Sequence, residues 1–137
     1  QSPVSHGRAA ELFQRVVDSP MADVGARAKA LIGLGTVAER MASGRPPAEA
    51  ADLQERALKH YLDVVLGSGF LKPDESVPPR LLEEAAVAAG QLLEERRRYI
   101  EASGLYERMG RELPATKPVW DARRDRVRKL ALAASGR

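Results

Sequence analysis

The chain has no cysteine, so no disulfide, thiolate nucleophile or sulfur-ligated metal site can form within it. That absence suits a reducing cytoplasm and a periplasm alike, and it leaves the compartment open. Aromatic residues are only 4% of the 137 positions. No run of five residues alternates in the β manner with Val, Ile or Thr on one side, which excludes a sheet. Long apolar runs are missing too. The longest uncharged stretches, 30–38 and 85–93, are about half of what a bilayer requires. No signal-peptide pattern opens the chain, and Gln1-Ser2-Pro3 fits a mature end or a boundary inside a longer protein equally.

Catalytic groups are sparse as well. His6 and His60 are the two histidines, and His60 sits beside Lys59 in a packing helix, where a satisfied surface role is expected. Glu83-Glu84 and Glu94-Glu95 are adjacent in sequence, so on a helix they point about 100° apart and form no carboxylate dyad. No metal-ligand spacing, phosphate loop or nucleophile elbow is present. The expectation is a protein without catalytic, cofactor-binding or metal-binding residues, and not an enzyme.

What the sequence does hold is helical periodicity rich in Ala and Leu, with a mild net charge of +3. Residues 81–114 contain two such patterns in succession. Leu82, Ala85, Ala86, Ala89, Leu92 and Leu93 share one face. Ala102, Leu105, Tyr106, Met109 and Leu113 share another. Gly90 lies inside the first pattern, where glycine costs about 1 kcal/mol against alanine. Close approach of a neighbouring backbone is the expected compensation. Ala89-Gly90, Tyr99, Ala102, Tyr106 and Pro114 stand in the register of the tetratricopeptide repeat, and the stretch resembles that helix–turn–helix unit.

The rest of the chain extends the resemblance. Residues 4–18 look like a half unit, with Ala9 and Phe13 at the spacing of Ala102 and Tyr106. Residues 20–69 look like an expanded unit: Gly35 stands for Gly90, Ala57 and Tyr61 for Ala102 and Tyr106, with ten extra residues around Pro46-Pro47. Its first helix is expected to start at Ser19-Pro20, with Ser19 as the cap and Pro20 in the first turn. Phe70 and Leu71 in the following loop are expected to cover the base of the core. Residues 78–114 form the standard unit, and 118–135 a terminal capping helix sealed by Trp120. On this reading the fold is all-α, an α-α hairpin array of about six helices forming a segment of a right-handed superhelix.

The resemblance implies a protein-binding scaffold. In that family the first helices of the units line a concave groove for a peptide or partner helix. Here those positions are Lys29, Ile32, Thr36, Glu39 and Arg40 in one unit, and Glu84, Val87, Gln91, Glu94 and Glu95 in the next. Ile32 and Val87 would be the apolar anchors. Ile32 and Thr36 stand where carboxylate-gripping members carry Lys and Asn, which argues against that specialised activity. The Tyr-Ile-Glu-Ala phrase at 99–102 also resembles bacterial envelope assembly factors. A lone half unit leaves an apolar face on the first helix for a second copy, a longer chain or a ligand protein to cover, so a homodimer through that helix is one expected assembly.

Two other readings stand beside the scaffold. Arg96-Arg97-Arg98 and the run Arg123 to Lys129 could serve a nucleic-acid-associated helical domain. Acids at helical spacing (Glu94 before Arg98, Asp121 before Arg124, Asp125 before Lys129) make solvated faces the simpler account. The chain could equally be a regulatory helical domain of a larger protein.

Overall fold

The structure is a computed structural model that describes residues 3–136, with side chains from Ser5 onward. Gln1 and Ser2 of the opening triplet lie outside the described residues. The described chain is all-α, with six α-helices and one 3-10 turn. It divides into two compact units, residues 1–85 and 86–137.

In the first unit α1 (Pro3–Asp18) packs on α2 (Val24–Ala42), and α2 on α3 (Pro47–Leu66). The opening turns of α4 (Pro79–Glu95) belong to this unit and bury Leu81 and Ala85. Helix α2 does not start at Ser19-Pro20. Ser19 caps a tight turn instead, its Oγ accepting from the Met21 amide. The N-cap is Asp23, whose carboxylate accepts the Ala26 amide at 2.7 Å. An aspartate one residue before the helix is the stronger acceptor and also carries charge that suits the positive helix end.

Helix α3 begins with Pro47 in its first turn, where the missing amide costs nothing. It ends at Gly67, with φ +71°. The Ser68 amide reaches Asp63 O and the Gly67 amide reaches Val64 O, the paired pattern that terminates a helix through a left-handed residue. Seven of the ten extra residues lengthen the start of α3: Ala57 is its eleventh residue, whereas Ala102 is the fourth of α5 (Tyr99–Glu112). Phe70 is buried and Leu71 half-buried beneath this end of the core, as their place in the sequence suggests.

The second unit holds the rest of α4, α5, a 3-10 turn at Pro114–Thr116 and α6 (Lys117–Ser135). Helix α4 ends by the same pattern as α3, with Arg98 N bonded to Leu93 O and Arg97 N to Glu94 O. Here the left-handed residue is Arg97, at φ 59°, a conformation that costs a residue with a Cβ about 1 kcal/mol or more. Replacing Arg97 with glycine is therefore expected to stabilise the protein by roughly 1 kcal/mol, measured as a higher urea midpoint with an unchanged slope. Trp120 is 1% exposed and closes the core of this unit. The apolar stripes are looser at their edges than the periodicity suggests: Leu12, Val119 and Leu130 are 51%, 54% and 39% exposed.

The interior glycines give the two units a shared construction. A Cβ on Gly35 would come within 3.0 Å of three carbons of the Tyr61 ring, and one on Gly90 equally close to Tyr106. What approaches Gly90 is thus a tyrosine ring from α5, not a backbone. Each tyrosine hydroxyl donates to a glutamate one helical turn past its glycine, Tyr61 to Glu39 and Tyr106 to Glu94. Burial pushes both phenols up, and the neighbouring carboxylate adds to the shift. Both tyrosines therefore stay protonated and able to donate.

Gly90→Ala sets two effects against each other. Helix propensity favours alanine by about 1 kcal/mol, while overpacking costs about 1–3 kcal/mol. Tyr106 is held by Glu94 and stacked on Trp120, so its ring has little freedom to retreat and the clash wins. We expect net destabilisation by Gly90→Ala in chemical unfolding, relieved when Tyr106→Leu is added. Gly104, with nothing within 4 Å of an added Cβ, is the control, and its alanine variant should gain stability.

Candidate functional site

Within the first unit, α1, α2 and the first turns of α4 enclose a concavity of about 530 Å³. From α2 it takes Lys29, Ile32, Gly33, Thr36, Val37 and Arg40, positions three and four apart that present one helical stripe. Ala9 and Phe13 come from α1, and Arg80 and Glu84 from α4. Gly33 shapes the floor. A Cβ there would stand 2.7 Å from the Phe13 ring, so glycine lets the phenyl group settle on α2. Ile32 and Val37 are 8% and 6% exposed, and Phe13 is half-buried.

The rim is charged. Lys29, Arg40, Arg80 and Glu84 are all exposed. Thr36 is spoken for locally, its hydroxyl bonding to Ile32 O at 3.0 Å. The concavity therefore combines an apolar floor with three cations and one carboxylate.

Five of the expected groove residues meet in this one place: Lys29, Ile32, Thr36, Arg40 and Glu84. Glu39 does not line it, because its carboxylate receives the Tyr61 hydroxyl. The remaining four belong to the second unit. There Val87 is half-buried, Gln91 and Glu95 are exposed, and Glu94 accepts both Tyr106 and Arg126, the latter at 2.9 Å. Ala9, Phe13, Gly33, Val37 and Arg80 line the concavity without belonging to the expected set. Arg80 stands one helical turn before Glu84, and that spacing alone could have placed it on the same face.

The basic stretches are largely spent on neighbours. Arg98 lies 2.6 Å from Glu101, Arg126 2.9 Å from Glu94, Arg128 3.2 Å from Glu107, and Arg124 3.3 Å from Asp121. Arg123 rests about 6 Å over the rings of Tyr106 and Trp120. These are folded-state contacts, and they lower the charge available to a phosphate backbone.

His60 departs from the expected surface role. It is half-buried, and its buried Nδ1 has no hydrogen-bond partner. Burial pushes its pKa below the usual 6.5, with Lys59 and Arg56 acting in the same direction and Asp63 against it. Among the described residues no group of three His, Cys, Asp or Glu side chains could hold a metal ion. No described helix is long and apolar enough to cross a membrane. A scan of protein-family models gives no match, and comparisons with curated proteins and with solved structures give none either.

Proposed function

We propose that this chain is a non-enzymatic interaction module that holds a peptide or helix of a protein partner in the concavity between α1, α2 and the start of α4. One observation carries the reading: Lys29, Ile32, Thr36, Arg40 and Glu84 converge on a single hollow with an apolar floor and a polar rim. Peptide-binding sites need that combination, with apolar area for affinity and fixed polar groups for register. The repeat character supports it too. The Gly35–Glu39–Tyr61 and Gly90–Glu94–Tyr106 arrangements are what a duplicated helical hairpin would retain, in keeping with a divergent tetratricopeptide-like array.

Selection from an unbiased random peptide library, followed by mapping of amide chemical shifts, tests this. The expected result is selected peptides whose shifts fall on residues 29–40 and 80–84. Shifts confined elsewhere, or a library that yields no binder, would remove the assignment. Light scattering of the same samples reports whether α1 instead seats a second copy.

A further inference from the structure

Resting on that reading, we infer that the occupant of the first-unit concavity is an acidic segment of a protein, with an apolar side chain between its carboxylates. Lys29, Arg40 and Arg80 face a single carboxylate, Glu84, around the hollow. None of the three cations has a carboxylate within ion-pair distance among the described residues, and all three are exposed. Several cations of the second unit are instead held by acids: Arg98, Arg124, Arg126 and Arg128 each sit against one. Free cations that converge over apolar surface are the complement of a ligand with both carboxylates and a hydrophobic anchor.

The floor discriminates between polyanions. Phe13, Ile32 and Val37 offer aliphatic and aromatic contact at its base, which rewards a leucine-like side chain. A phosphodiester backbone would use the rim and leave that surface wet. Lysine and arginine stems lie along apolar surface and keep their charged heads in water, so the rim selects charge and the floor selects shape.

The peptide selection carries the test. Wild-type protein should enrich sequences in which Asp or Glu flank an apolar residue. A variant with Lys29→Glu and Arg40→Glu should lose those peptides by about tenfold or more in affinity and enrich basic ones instead. Circular dichroism should be unchanged in the variant, because both side chains are exposed. Groove binders with no acidic enrichment, or acidic enrichment that survives the charge reversal, would overturn this inference while leaving the binding module intact. An absence of groove binders would overturn both. A single-stranded oligonucleotide that displaces the selected acidic peptides and binds more tightly than they do would overturn the choice of a protein partner.

Discussion

Replacing Trp120 with alanine is expected to cost about 3–5 kcal/mol, the largest single loss available in the second unit. The indole is 1% exposed and stacks on Tyr106, with ring centroids 6.1 Å apart at an interplanar angle of 30°. Its Nε1 donates to Thr116 Oγ1 at 3.0 Å, which ties α6 to the turn that precedes it. Removing the ring leaves a void beside Tyr106 that the neighbouring side chains fill only in part. A domain of this size has roughly 5–15 kcal/mol in total, so urea unfolding followed by circular dichroism should show a much lower midpoint. Trp120→Phe keeps an aromatic wall and loses one hydrogen bond, a cost of roughly 1 kcal/mol from that bond. The glycine contact gives an internal check: with the indole gone Tyr106 can retreat, so the penalty of Gly90→Ala should shrink in the Trp120→Ala background. A Trp120→Ala variant that loses under about 1 kcal/mol would show that this ring does not hold the unit together.

Helix positions were readable in the sequence because proline and glycine mark backbone requirements that do not depend on distant partners. Pro47 and Gly67 bracket α3 for that reason. Tyr99 and Ala102 fall in α5 because a period of three to four is itself a local property. The nature of the close contact at Gly90 was not readable, since an absent Cβ admits a ring as readily as a backbone, and only the fold brings Tyr106 there. The hollow was half legible. Lys29, Ile32, Thr36 and Arg40 share a stripe of one helix, but Phe13 reaches Gly33 across a turn whose geometry no sequence pattern encodes. Start signals misled where two were adjacent: Ser19-Pro20 resembles a helix entry, yet Asp23 supplies the bond.

Arg27 was invisible for a similar reason, and removing it is the second large prediction. A lone arginine in Gly-Ala-Arg-Ala-Lys reads as solvent-facing, yet the side chain is 3% exposed. Its Nε donates to Ala22 O at 3.0 Å, and its Nη atoms donate to Phe70 O and to the Glu75 carboxylate. Those partners lie 43 and 48 residues away in sequence. One guanidinium thus fastens the loop after α3 to the start of α2, and Lys72 adds a bond to Pro20 O at 3.2 Å. Arg27→Leu keeps much of the apolar stem but strands the two carbonyls, at an expected cost of about 2–4 kcal/mol. The loop should also open: amides of 68–77 are expected to exchange faster with solvent, ahead of those in α3. The pH dependence separates the charge from the packing. Arg27 holds the Glu75 carboxyl below its ordinary value of 4.5, with the Lys72 amide helping. Below that value the unfolded chain binds the proton that the folded chain refuses, so stability rises with pH. This contribution is present in full above pH 4.5 and fades as pH falls through the lower folded value. Arg27→Leu should flatten that part of the acid limb, whereas a loss of stability with the same acid slope as wild type would mean that the guanidinium acts through packing alone.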